Sequence, residues 1–262
     1  MRVLILTSKE FGIAGTVLAA LHDSSTVADC AALLCDMTAT RKDRAWLQRK
    51  ARKTWRIGVG GAVNGLRIRS WFDYGTVAHL PSVCDRLGMP LLRAPGVNSD
   101  EAVAQVKAWA PDLMISLGNP IIHEKVFGLP LWGTVNFHGE LLPDYPGAQS
   151  ILWPIHDGRQ VSGFTIHKVA RRLDGGDILV RREVPIVFRT DLRATIEATG
   201  TRIQAMVPAA FRDLVEHWPE RWQAAAPNPS QPGYTTPTLR QFRRMVRNNR
   251  RLHAAQQRKE TG

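Results

Sequence analysis

Cysteine is scarce in this chain, with three residues in 262, Cys30, Cys35 and Cys84. They form no CxxC pair and no even framework, which excludes a disulfide scaffold and a cysteine zinc site and fits a reducing compartment. Metal-free chemistry is expected. Long apolar runs are missing as well: no stretch approaches the roughly 20 residues of a membrane-spanning helix, and residues 1–7 are too short and wrongly flanked for a signal peptide. No membrane span is expected, and the cytoplasm is the expected location. The first strand and helix carry no GxGxxG, so no dinucleotide is inferred. Acid is lacking locally. Between Arg41 and Arg56 eight basic residues face one acid, and between Arg240 and Arg251 six arginines face none, within a net charge of +12. Such clusters suit phosphates, nucleic acid or an anionic membrane surface, and equally well the solvated face of a helix.

What is present is an ordinary globular composition, 44% apolar and 22% charged, long enough for one large domain or a domain with an appendage. Residues 2–7 read as a buried first strand, followed through Gly12 by an apolar helix that ends near Leu21. Residues 31–35 and 89–92 read as further strands. The charged segment 42–54 reads as a helix with Leu47, Ala51 and Trp55 on one stripe, expected to be a packing face. Residues 57–65 are rich in glycine and are followed by Arg67, Arg69, Trp71 and Tyr74. They are expected to form either a mobile loop that closes over an anionic acceptor or a plain surface connection. Asn98 with Glu101 forms a capping box for a helix through Trp109, and residues 113–117 form a strand ending in the Gly118-Asn119-Pro120 turn.

The centre of the chain lies between residues 132 and 186. Asn136 and His138 alternate on one strand and so share a face at its C-terminal end, the edge at which open α/β sheets bind ligands. The chain then turns through Gly139, Pro143, Pro146 and Gly147. Residues 161–169 alternate weakly like a strand. The turn Leu173-Asp174-Gly175-Gly176-Asp177 that follows can return its Asp174 carboxylate to a neighbouring histidine. An amide that donates to a developing oxyanion, an imidazole that moves a proton and a carboxylate that orients it suit acyl transfer to an amine.

These residues carry a resemblance. Asn136-Phe137-His138, then Leu141-Leu142-Pro143-Asp144-Tyr145 with Gly147, then Asp174-Gly175-Gly176 resemble the motifs of the 10-formyltetrahydrofolate-dependent formyltransferases, which include the glycinamide ribotide, methionyl-tRNA and sugar N-formyltransferases. The separation of 36 residues between His138 and Asp174 is also similar to that in the glycinamide ribotide formyltransferases. Residues 112–122 resemble the strand and loop that frame its folate pocket. Two departures are Glu140, where the family usually has Ser, and Pro146, where many members have Arg. The resemblance implies an α/β, Rossmann-like fold with a mostly parallel central sheet and N10-formyltetrahydrofolate as co-substrate. It implies catalytic roles for Asn136, His138 and Asp174, with Asn119, Ile121, Ile122, Leu141, Leu142 and Asp174 around the folate. Gly12, Glu140 and Tyr145 are expected on the acceptor side, and His167, seven residues before Asp174, is expected to support the trio.

Residues 1–218 are expected to form the catalytic domain, with a basic insert at about 41–75. The run 190–218 is an apolar-faced helix that Pro208 is expected to kink or divide. Residues 226–233 read as a linker, and 238–256 as one basic amphipathic helix, in place of the β-barrel that, by resemblance, follows the methionyl-tRNA enzymes' catalytic domain. The expected acceptor is therefore a small anionic amine, a nucleotide-linked amino sugar fitting best. Met-tRNA, an amino acid or peptide, simple hydrolysis of the donor, and a non-catalytic nucleic-acid-binding protein stand as alternatives. Nucleic acid is disfavoured, and a homodimer is admitted.

Overall fold

The computed structural model describes residues 1–36, 44–72, 78–229 and 231–261. In chain order its elements are β1 (Arg2–Thr7), β2 (Phe11–Gly12), α1 (Ile13–His22), β3 (Asp29–Cys35) and α2 (Arg44–Arg67), then a 3-10 turn (Ile68–Phe72). There follow β4 (Ala78–His79), α3 (Leu80–Leu87), β5 (Leu91–Ala94), α4 (Asp100–Trp109), β6 (Leu113–Leu117), α5 (Glu124–Phe127) and β7 (Thr134–His138). The chain closes with α6 (Leu152–His156), β8 (Val161–Lys168), β9 (Ile178–Pro185), α7 (Leu192–Glu216), α8 (Glu220–Gln223) and α9 (Leu239–Thr261).

Seven strands form one sheet in the order β5-β3-β1-β6-β7-β8-β9. The first five are parallel, while β8 pairs antiparallel with both β7 and β9. The near-continuous apolar runs of β1, β3 and β6 follow from burial on both faces. In β1, Val3 and Ile5 enter the larger core beneath α1, α7 and α9, while Leu4 and Leu6 enter a second core beneath α4. Because β3 lies on one side of β1 and β6 on the other, the strand order reverses there. A crevice opens at the carboxyl ends of such a pair.

Several expectations from sequence give way to longer-range contacts. The glycine-rich stretch 57–65 is helical, not a loop, with a break at Gly58 (φ 70°). Its glycines let α2 cross close to the segment before α9: a Cβ on Gly65 would lie 2.6 Å from Thr236 Cγ2. The Leu47-Ala51-Trp55 stripe is exposed and not a packing face. Arg41, Lys42 and Tyr74 lie outside the described residues. Helix α4 is capped by Ser99, whose hydroxyl accepts from the Ala102 amide at 3.1 Å, and not by Asn98. Helix α7 runs undivided through Pro208. The expected linker 226–233 is tied to the domain at its start, where Ala226 bridges to Ile178, and Tyr234 just after it bridges to Gly147. Phe242, Met245 and Leu252 of α9 are buried in the larger core. No helix among the described residues is long and apolar enough to cross a membrane.

Candidate active site

Strand β7 delivers Asn136 and His138, β8 delivers His167 directly across from Asn136, and the loop between β8 and β9 delivers Asp174. One carboxylate oxygen of Asp174 lies 3.7 Å from His138 Nδ1 and 3.9 Å from His167 Nε2. The other accepts the Gly147 amide at 2.8 Å. Asp174 itself sits at φ 49°, a left-handed conformation that a non-glycine residue adopts only under constraint. The constraint is visible. Asn228 Nδ2 donates to the carbonyls of Asp174 (2.7 Å) and Gly176 (3.0 Å), and Gly176 packs so tightly on the Lys168 carbonyl that no Cβ would fit.

The hydrogen bonds set the tautomers. His138 Nε2 lies 2.8 Å from the Tyr145 carbonyl, which can only accept, so Nε2 carries a proton and Nδ1 is the ring nitrogen left for chemistry. His167 donates Nδ1–H to the Lys168 carbonyl at 2.8 Å, and its Nε2 accepts from Asn136 Nδ2 at 3.2 Å. Burial lowers the His167 pKa, against the opposing pull of the Lys168 carbonyl and the Asp174 carboxylate, which agrees with a neutral ring in this accepting role. Asn136 Nδ2 also donates to the Phe137 carbonyl at 3.1 Å, so both amide hydrogens are engaged within the protein.

A cavity of about 430 Å³ opens against this group, lined by Asn136, His167, Asp174, Asn119, Ile121 and Ile122 together with Val169 and Leu173. A second cavity, of about 380 Å³, shares Gly118 and Phe137 with the first as a common wall and is lined by Lys9, Phe11, Gly12, Phe72 and Gln204. Both volumes fall within the range of small-molecule sites.

Other expected site residues have their side chains engaged within the protein. Glu140 is 2% exposed, and its carboxylate accepts from the Leu141 and Ile151 amides and the Ser162 hydroxyl. It therefore braces the loop and does not face an acceptor. Burial pushes its pKa up to about 7 against those hydrogen bonds. Leu142 is fully buried, and Leu141, also buried, borders a different cavity, so neither faces the larger cavity beside Asp174. Asn119 reaches that cavity, but its side chain is turned inward. It donates to the Leu6 carbonyl and Ser116 Oγ and accepts from Ser8 Oγ, tying the ends of β1 and β6 together. Tyr145 serves through its carbonyl, while its hydroxyl donates to Asp157 outside the site.

Two asparagines that brace the site, Asn98 and Asn228, carry no local signal of that role. Asn98 donates to the Ile121 carbonyl and accepts the His123 amide, pinning the loop of the larger cavity. Both are asparagines in turn-rich stretches, where nothing local distinguishes a clamp from an ordinary loop residue. Phe72 and Phe137, on the wall between β7 and the 3-10 turn, were likewise not singled out.

The fold is that of an α/β protein with a mostly parallel sheet, in which an amide, an imidazole and a carboxylate gather at β7 and the loop after β8, beside the crevice at the carboxyl ends of β1 and β6. Residues 1–210 match the formyl transferase family, and the chain belongs to it. A curated methionyl-tRNA formyltransferase of Macrococcus caseolyticus is 36% identical over 105 residues, 40% of this chain and 34% of that protein. The aligned part thus spans about a third of that relative's length. Among solved structures, phosphoribosylglycinamide formyltransferase of Anaplasma phagocytophilum superposes with a TM-score of 0.55 at 18% identity, covering 82% of this chain and 85% of that one. A sugar N-formyltransferase of a Shewanella species superposes with a TM-score of 0.54 at 17% identity, covering 95% and 87%. At such identities these two likenesses bear on the fold alone.

Proposed function

We propose that the protein transfers the formyl group of N10-formyltetrahydrofolate to the amine of a small anionic acceptor, a nucleotide-linked amino sugar fitting best. The observation that carries this reading is the convergence of Asn136, His138, His167 and Asp174 beside a cavity that shares a wall with a second one. The larger cavity suits the folate: Ile121, Ile122 and Val169 supply apolar walls for a flat heterocycle, and Asp174 supplies a polar edge. The smaller cavity suits the acceptor. Lys9 is the one charged residue among the described residues of its lining, and Phe11, Phe72 and Phe137 offer rings to a sugar or base.

The donor supplies an activated formyl carbon and an N10 leaving group. As the acceptor's neutral amine attacks that carbon, one amide hydrogen of Asn136, which lines the larger cavity, is the donor positioned to meet the oxyanion. Asn136 does so by releasing its hydrogen from His167 Nε2, so His167 holds the amide in orientation until substrate arrives. Asp174 and the free His138 Nδ1, 3.7 Å apart, take up the proton lost by the attacking nitrogen and return a proton to N10 as it departs. Removing one oxyanion donor costs roughly 2.7–4 kcal/mol of transition-state stabilisation.

The test is incubation with 10-formyltetrahydrofolate and a panel of amino-sugar nucleotides, amino acids, glycinamide ribotide and Met-tRNA, following tetrahydrofolate release and acceptor mass. A gain of one formyl group on a sugar nucleotide, lost in Asp174→Asn and His138→Ala, supports the reading. Formylation of Met-tRNA alone would favour the activity that the curated relative is named for, which the strong positive charge also suits. Wild-type rates in both variants would overturn the mechanism.

A further inference from the structure

We infer that the outer face of α2 is a docking surface for an anionic lipid bilayer. Of the eleven large apolar side chains exposed among the described residues, five lie on this one helix: Leu47 (56%), Trp55 (90%), Val59 (77%), Val63 (63%) and Leu66 (66%). They are ordered. Leu47, Ala51 and Trp55 recur every four residues before the break at Gly58, and Val59, Val63 and Leu66 continue at spacings of four and three beyond it. The opposite face of the second segment, Ile57, Gly61, Asn64 and Ile68, is buried, and the helix meets the rest of the protein through Gly61 and Gly65 against residues 236–238. The apolar stripe therefore points away from the protein, and no described residue covers it. Soluble proteins seldom leave two such neighbouring apolar stripes, one on each side of the Gly58 break, uncovered.

Charge identifies the occupant. The sequence of α2 contains seven arginines and lysines and no acid, and exposed Arg52 and Arg56 have no ion-pair partner among the described residues. A second copy of the chain would bring one positive helix against another, within a protein already at +12. A nucleic acid would match the charge but gives nothing to Val59, Val63 and Leu66, since phosphates and sugars do not reward aliphatic burial. An anionic bilayer accepts both, with aliphatic and indole groups at the acyl boundary and guanidinium groups among the phosphates. Leu239, partly exposed at the start of the basic helix α9, packs beside Gly60 and extends the apolar surface.

The test is co-sedimentation of the full chain with phosphatidylglycerol-containing and pure phosphatidylcholine vesicles, for wild type and for the triple variant Trp55→Gln, Val63→Gln, Leu66→Gln. All three side chains are exposed, so thermal unfolding is expected to be unchanged in the variant. Wild type is expected to bind the anionic vesicles at least about ten-fold better than the neutral ones, more weakly at high salt, and the variant to lose about ten-fold or more of that binding. Three results would overturn the inference: no binding of wild type to anionic vesicles, binding that survives in the triple variant, or a concentration-dependent dimer that the triple variant abolishes. Salt-sensitive RNA binding that the triple variant retains and Arg52→Gln with Arg56→Gln loses, in a protein that leaves anionic vesicles in solution, would assign the helix to nucleic acid instead. The outcome is independent of which amine the enzyme formylates.

Discussion

Glu140 gives the sharpest quantitative expectation. Its carboxylate is buried where β7 leaves the sheet, and burial raises its pKa from 4.5 to about 7 despite the Ile151, Ser162 and Leu141 hydrogen bonds that oppose the shift. The folded-state value lies above the unfolded one, so its stabilising contribution is complete below about pH 4.5 and is lost as pH rises through about 7. A displacement of that size converts to about 3 kcal/mol, as an order of magnitude. Glu140→Gln keeps the shape and removes the titration. Its new amide group must face either the Leu141 or the Ile151 N–H, donor against donor, so the variant is expected to be less stable than wild type at about pH 5. Between about pH 5 and pH 8 wild type alone sheds most of the Glu140 contribution, and the gap should narrow by about 2.5 kcal/mol. Equilibrium urea unfolding of both proteins across that range measures the gap directly, with the other titrating groups cancelling in the difference. A gap that stays constant, or widens with rising pH, would refute the reasoning, because it would mean that Glu140 is accommodated as readily charged as neutral.

Three further outcomes are expected. Asn228→Ala removes both bonds that hold Asp174 in its left-handed turn; formyl transfer should fall by about ten-fold or more with a stability loss of about 1–3 kcal/mol, and an unchanged kcat would show that the turn holds itself. His167→Leu frees Asn136 from its acceptor and should lower kcat by about ten-fold or more with a smaller change in donor KM, whereas a change confined to thermal stability would assign His167 a packing role alone. Burial holds the Cys30 and Cys35 thiols up at about 11 and about 12 and raises that of Cys84, so a disulfide reagent at neutral pH should label the native protein slowly and all three cysteines in denaturant; rapid native labelling would contradict it.

Much of the α/β core was legible locally. The apolar runs at residues 2–7, 31–35 and 113–117 are strands because they are short, continuous and bounded by turn residues, and period-2 alternation put Asn136 and His138 on one face. The Asp-Gly-Gly turn announced itself through residues that only such a turn requires. Beyond those patterns local reading failed in a consistent way. Asn98 resembles a cap and is a loop clamp, while Ser99 beside it does the capping. Glu140, a charged residue in a loop motif, would ordinarily face solvent or ligand, yet two backbone amides and a serine receive it inside.

The amino-acid order by itself determined where the strands and helices of the α/β core lie along the chain and which chemical groups the candidate site can draw on, since both are written in patterns a few residues long. Only the tertiary structure decided which polar side chains meet a ligand and which brace the fold. It also decided that residues 57–65 are helical, because Gly61 and Gly65 permit a crossing with a segment about 170 residues later in the chain. Asn119 turned inward, Asn228 turned onto Asp174, and the α2 stripe turned outward for the same reason. Each depends on partners distant in sequence, and neither propensity nor periodicity carries information about them.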